Sequence, residues 1–131
     1  MIVLDASAAL ELLLQTPLGV RVAERALATE ESLHAPHLLD VEVSQVLRRY
    51  VLAGELAAER ADQALSDFTG LPLTRYAHID LLTRVWLLRD SLTAYDAVYV
   101  ALAEALQAPL LTTDRRLAHA HGHEATIELL K

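Results

Sequence analysis

Four acidic residues occupy positions from which an acidic pocket could be built: Asp5, Glu42, Asp96 and Asp114. Each follows a predicted strand or lies near the start of a predicted helix. In open parallel sheets, ligands bind outside the carboxyl ends of the strands, where the next helices begin. Carboxylates gathered at that edge cannot all stay ionised without a counter-charge. Because oxygen-only ligands suit hard cations, the pattern predicts a site for Mg²⁺, with Mn²⁺ as the alternative ion.

Asp5 and Asp114 both follow apolar stretches. Residues 1–4 predict a fully buried strand of a parallel sheet that ends at Asp5, and LLTT precedes Asp114 in the same way. Taken singly, each of these residues is well explained as the N-cap of the following helix. Ser7 and Thr112 add hydroxyl groups nearby, which we expect to orient a ligand or a water molecule.

Glu42 and Asp96 are predicted to lie on helices. Glu42 shares a helix face with Leu39 and Val46, and a carboxylate in an apolar stripe is costly unless it is paired or bound to a metal. The alternative is a position near the helix start, favoured by the helix dipole, with the carboxylate reaching water. Asp96 follows Thr93 at capping-box spacing, yet the next residues are apolar on nearly every side. This acid is therefore expected to point into a covered crevice.

The elements that must position these residues alternate along the chain. This alternation implies right-handed crossovers and predicts an α/β fold, a three-layer α/β/α sandwich around a mostly parallel sheet of four or five strands. With 131 residues, 53% of them apolar, the chain is expected to form one domain, residues 1–131. Strands are predicted at 1–4, 33–35, 71–75, 110–112 and, at an edge, 125–129, and helices at 6–14, 18–28, 38–53, 57–68, 79–89, 94–106 and 115–121.

The charge balance restricts the functions open to the chain. A net charge of -7 argues against binding nucleic acid through a broad basic face. Lys131 is the only lysine, so nearly all positive charge is arginine, which can contact phosphate in a bidentate manner. Arg115 and Arg116 could hold RNA phosphates beside Asp114, or be ordinary surface charges. The chain has no cysteine and no apolar run long enough for a bilayer, which favours a cytoplasmic protein without a membrane partner.

The segments around the four acids together resemble one protein family. Four segments resemble those of PIN-domain ribonucleases, and they are most similar to the toxins of VapBC-type toxin–antitoxin pairs. These segments are MIVLDAS, PHLLDVEV, LTAYDAVYVALAEAL and APLLTTDRRLA. The resemblance implies a metal-dependent endoribonuclease that acts on RNA, is inhibited by a VapB-type antitoxin and forms a homodimer. By position, Asp5, Glu42, Asp96 and Asp114 match the family's acidic quartet, and Ser7 and Thr112 match the polar residues that accompany it.

The roles within the quartet are expected to differ. We expect Asp5 and Asp96 to bind the ion directly, and Glu42 and Asp114 to bind it directly or through water. A metal-activated water would then attack the phosphodiester bond. The family resemblance implies products with a 5′-phosphate and a 3′-hydroxyl.

Three alternatives remain at this point. Haloacid-dehalogenase-like phosphatases also begin with a strand that ends in aspartate, but they need a lysine in the site, and the only lysine here is Lys131. A phosphorylated receiver domain, which is not an enzyme, needs a lysine after a late strand, where this chain has Thr112 and Thr113. The third is a non-catalytic PIN-like interaction domain, against which the intact quartet argues.

Overall fold

A five-stranded parallel sheet forms the middle of the molecule, as seen in a computed structural model that describes residues 1–131. The strand order is β3-β2-β1-β4-β5, and every neighbouring pair is parallel. β1, β2 and β4 are wholly buried, whereas the edge strands are partly exposed, because only the central strands are covered on both faces and both sides. The strands are β1 Ile2–Leu4, β2 Leu33–Pro36, β3 Leu73–Tyr76, β4 Leu110–Thr112 and β5 Ile127–Leu129.

Seven helices connect and cover the strands. The first four pack against one another, and the sixth crosses β1, β2 and β4 with the fifth beside it. Since right-handed crossovers that run in opposite directions place their helices on opposite faces, the predicted three-layer α/β/α sandwich is confirmed. The helices are α1 Ala6–Leu14, α2 Pro17–Ala26, α3 Leu38–Leu52, α4 Ala58–Thr69, α5 Leu82–Leu87, α6 Ala94–Leu106 and α7 Arg115–Ala118.

The direction of the crossovers reverses between β1 and β4. The chain runs outward from β1 to β2 and β3, then returns to place β4 on the other side of β1. Such a reversal leaves a crevice at the carboxyl ends of the two strands. The crevice therefore lies where Asp5 leaves β1 and Asp114 follows β4.

The strand order also differs from that of receiver domains, which follow the order 2-1-3-4-5.

Side-chain caps start the helices at this edge. Asp5 caps α1 by accepting a hydrogen bond from the Ala8 backbone N–H, and Asp114 caps α7 by accepting one from Arg116 N–H. Thr93 caps α6 through the N–H of Asp96. These caps satisfy backbone donors that the first turn of a helix leaves unpaired. Three of the four acids are thus placed by local capping geometry.

Some predicted boundaries were wrong. The helix expected over 79–89 is a 3₁₀ turn, Ile79–Leu81, followed by α5, because short apolar segments do not specify which hydrogen-bond pattern they adopt. The helix expected over 115–121 ends at Ala118, since His119 leaves helical geometry with φ -99° and ψ 2°. The bounds of α1, α6 and β4 are as predicted, and the remaining elements differ at one or both ends by about one or two residues, within the usual uncertainty of element ends.

The longest helix, α3, has 15 residues. None of the helices combines the length and the apolar character needed to cross a bilayer.

Candidate active site

Asp5 is the most buried acid of the crevice, with 6% of its surface exposed. Its Oδ1 accepts hydrogen bonds from Ser7 Oγ at 2.7 Å and from Ala8 N–H at 2.9 Å. Its Oδ2 accepts a hydrogen bond from Thr112 Oγ1 at 2.5 Å. Both oxygens therefore have fixed partners, so the carboxylate is held in one orientation.

The hydroxyl groups of Ser7 and Thr112 connect the first turn of α1 to the end of β4. They lie 3.2 Å apart, and Ser7 Oγ also accepts a hydrogen bond from Thr113 N–H at 3.0 Å. Thr112 Oγ1 accepts one from Asp114 N–H at 3.0 Å. Thr112 is completely buried. The two hydroxyls thus orient the Asp5 carboxylate and fix the backbone at Thr113 and Asp114.

Glu42 reaches the crevice from α3. It is half-buried, and its Oε1 accepts a hydrogen bond from Tyr99 Oη at 2.6 Å. Tyr99 is on α6, three residues after Asp96, and only 2% of its surface is exposed. Tyr99 was not among the residues predicted for the site, because it lies within the apolar stretch that follows Asp96. The signal was its spacing, since residues three apart share a helix face.

The charges of the acids act on one another across the crevice, and the pKa values of Asp5, Glu42 and Asp96 are all raised. Burial raises the pKa of Asp5, and the charge of Asp96 raises it further. The pKa of Glu42 is raised by burial and by the charges of Asp96 and Asp5. Burial and the charge of Asp114 raise the pKa of Asp96, although the nearby Arg116 opposes this. Burial and mutual repulsion both oppose ionisation here, so a positive ion among the acids would stabilise their charged forms.

The chemistry of these residues fits a hard divalent cation. The donors are carboxylate and hydroxyl oxygens, and the repulsion among the acids would be relieved by a positive ion. No three acidic or histidine side chains already surround one point as a ligand set. Mg²⁺ needs only one or two direct carboxylate ligands and keeps several of its waters, so two direct protein ligands suffice.

The two arginines after Asp114 are exposed at the rim of the crevice. Neither Arg115 nor Arg116 makes an ion pair. The charge of Arg116 acts on Asp96, which places its guanidinium near the acids. Their side chains are therefore available to an anionic ligand.

Sequence comparisons identify relatives over nearly the whole chain. The PIN domain family matches residues 2–122. Ribonuclease VapC12 of Mycobacterium tuberculosis is 45% identical over 130 residues, which cover 99% of both chains. VapC ribonuclease Mb0985 of Mycobacterium bovis is 46% identical over 118 residues, which cover 90% of this chain and 89% of that protein.

Solved structures share the fold. PAE2754 from Pyrobaculum aerophilum superposes with a TM-score of 0.71 at 25% identity, covering 96% of this chain and 81% of that one. VapBC2 from Rickettsia felis, solved with a DNA fragment from its promoter, superposes over all of both chains with a TM-score of 0.74. At 14% identity, the second similarity supports the fold alone. From the family match and the two mycobacterial relatives, this chain belongs to the PIN-domain family and, within it, to the VapC-type proteins.

Proposed function

We propose that this chain is a Mg²⁺-dependent endoribonuclease and the toxin of a type II toxin–antitoxin pair, with Mn²⁺ as an alternative ion. The observation that carries the proposal is the anionic group at the strand switch point, where the pKa values of Asp5, Glu42 and Asp96 are raised by burial and by neighbouring charge. Relatives at about 45% identity are named ribonucleases, which supports RNA as the substrate.

Asp5 and Asp96 are the residues we assign to direct binding of the ion. Asp5 is already oriented by Ser7 and Thr112, so it would lose little conformational freedom on binding. Asp96 lies in the first turn of α6, where its backbone N–H donates a hydrogen bond to the hydroxyl of the N-cap residue, Thr93. Glu42 and Asp114 would complete the site directly or through water.

When bound, the ion would activate water for attack on the phosphodiester bond and offset charge that develops on the phosphate. The chain's own residues would do the positioning. Asp5 and Asp96 would hold the ion at the bottom of the crevice, and Arg115 and Arg116 would attract RNA phosphates at its rim. The products would carry a 5′-phosphate and a 3′-hydroxyl.

The test is RNA cleavage by the purified chain with Mg²⁺, with Mn²⁺ and with EDTA. We expect cleavage of structured RNAs with either ion and none with EDTA. Asp5→Asn and Asp96→Asn should each reduce the rate by more than about 100-fold, because each removes a direct ligand of the ion. Circular dichroism checks that both variants remain folded. Wild-type rates in both variants would contradict the proposal, as would stable phosphorylation of Asp5 by a small phosphodonor.

The partner that we propose is a VapB-type antitoxin, and its support is the VapC naming of the relatives. Co-purification with the product of a neighbouring short reading frame, together with loss of RNA cleavage in the complex, is the expected result. A cytoplasmic location follows from the same proposal.

A homodimer is also part of the proposal. Several large apolar side chains on and near α5 are each more than 60% exposed: Ile79, Trp86, Leu87 and Tyr95. Tyr95 also lines a surface cavity together with Leu82 of α5. Exposed apolar patches on soluble chains commonly mark protein interfaces. We expect a dimer by light scattering at micromolar concentration and a monomer for Trp86→Glu, with Val20→Glu, another exposed apolar residue, as the control. A wild-type monomer would contradict the dimer.

A further inference from the structure

We propose that Tyr99 is a positioning residue that holds the Glu42 carboxylate ready for the divalent ion. The proposal rests on the proposed function in one respect, because it takes Glu42 to be part of the ion site. It assigns a role to a residue outside the four acids and the two hydroxyls described above.

The hydrogen bond from Tyr99 Oη to Glu42 Oε1, at 2.6 Å, is the only hydrogen bond that joins α3 to α6. It connects residues 57 positions apart in the chain. Glu42 Oε2 has no hydrogen-bond partner in the protein. Tyr99 therefore occupies one carboxylate oxygen and leaves the other free for the ion or for its waters.

The position of Tyr99 on α6 adds a second argument. Residues Ala97 to Ala103 of this helix are all buried, so Tyr99 is fixed by packing on every side. Asp96, an assigned ligand, lies one turn before it on the same rigid helix. One helix thus supplies a ligand and also orients a carboxylate that comes from another helix.

A purely structural role for Tyr99 makes a different prediction. A buried phenol needs a hydrogen-bond acceptor, and Glu42 supplies one whether or not an ion binds. Removing the hydroxyl would then lower stability alone. Under our proposal it also weakens ion binding, and it does so only while Glu42 is present.

The experiment is calorimetric titration of the full-length chain with Mn²⁺, together with thermal unfolding without metal. We expect Tyr99→Phe, which keeps the packed ring, to raise the Kd for Mn²⁺ by about 10- to 100-fold, as is usual when a group that orients a metal ligand is removed. In the Glu42→Gln background the same substitution should change the Kd less than twofold. On RNA, Tyr99→Phe should lower kcat and leave KM nearly unchanged.

Tyr76→Phe is the matched control. Its hydroxyl also makes a short hydrogen bond, at 2.7 Å to His34 Nδ1, but it belongs to the edge strand β3. This variant should lose stability without a change in the Kd for Mn²⁺. If Tyr99→Phe does not fold, Tyr99→Met removes the same hydroxyl with a flexible apolar side chain that adapts to the space, and it should weaken Mn²⁺ binding similarly.

Three results would overturn the proposal. They are an unchanged Kd in folded Tyr99→Phe, an equal loss of affinity in the Glu42→Gln background, and an equal loss in Tyr76→Phe. Failure of the proposed function looks different: the wild-type chain would bind Mn²⁺ and cleave no RNA, and the same titrations would still decide the role of Tyr99.

Discussion

Thr112 Oγ1 donates a hydrogen bond to Asp5 Oδ2 at 2.5 Å, although the two residues are 107 positions apart. The contact forms because β1 and β4 are neighbours in the sheet, with Leu4 paired with Leu111. Asp5 and Thr112 therefore leave adjacent strands side by side. This pairing places a hydroxyl against a buried carboxylate at the point where the crossovers reverse.

Thr112→Val is expected to lower both stability and activity. Valine has nearly the same shape but leaves Asp5 Oδ2 and the Asp114 N–H without their partner. An unpaired buried group costs about 1–3 kcal/mol, so the free energy of unfolding should fall by roughly that amount in urea unfolding. RNA cleavage should slow by about 10- to 100-fold, because Asp5 loses its orienting group.

Thr113→Val is the control, since the Thr113 hydroxyl makes no hydrogen bond. It should retain near-wild-type stability and cleavage. Equal losses in the two variants would show that the Thr112 contact has no special role.

Stability without metal is expected to fall as the pH rises. The pKa values of Asp5, Glu42 and Asp96 are raised in the folded state, mainly by burial. Between the ordinary carboxyl pKa of about 4 and the raised values, the folded chain binds more protons than the unfolded chain. The stabilisation is complete below that window and is lost as the pH rises through it. Thermal unfolding in EDTA over this range measures the slope.

Asp96→Asn is the reference for this measurement. Other acidic groups make stability rise with pH, such as Glu104, whose pKa is lowered by its hydrogen bonds from Arg84. These groups are the same in the wild type and in the variant, so their effect cancels in the comparison. The variant removes one raised group together with its repulsion of Asp5 and Glu42, so its slope should be shallower. Adding Mg²⁺ should stabilise the wild type at neutral pH and have less effect on the variant. Parallel curves would contradict the anionic group described here.

Arg116→Ala is expected to weaken RNA binding. The side chain is exposed, makes no ion pair and lies near Asp96. The binding constant falls as salt is added, and loss of one phosphate contact should make the slope of its logarithm against the logarithm of salt concentration shallower by about 1. The measurement is made in EDTA to prevent cleavage. Arg21→Ala, an exposed arginine of α2 without an ion pair, should leave the slope unchanged. An identical slope for wild type and Arg116→Ala would exclude the contact.

Gly19→Ala is expected to destabilise the packing of α2 on α1. A Cβ at this position would lie 1.9 Å from the backbone oxygen of Glu11, so the helices would have to separate. Overpacking of this kind costs about 1–3 kcal/mol or more, which chemical unfolding would detect. Gly70→Ala, where the nearest atom would be 3.5 Å away, should have little effect. Equal stabilities for the two variants would contradict the close approach.

The parts of the fold that depend on local sequence were predictable. α1, α6 and β4 have the bounds that the sequence predicts, because an N-cap or a preceding turn marks where each begins. The segment 79–89 was mispredicted, since a short apolar run is compatible with a 3₁₀ turn as well as with an α-helix. Its backbone is set by packing against α6.

The candidate site divides in the same way. The sequence by itself determined which residues carry the carboxylates and hydroxyls and placed them at strand ends and helix starts, because capping and hydrophobic alternation act between near neighbours in the chain. Only the tertiary structure decided that Thr112 meets Asp5 and that Tyr99 meets Glu42. Those contacts depend on strand order and on the approach of α3 to α6, which arise from burial of a shared core and leave no mark within any one segment.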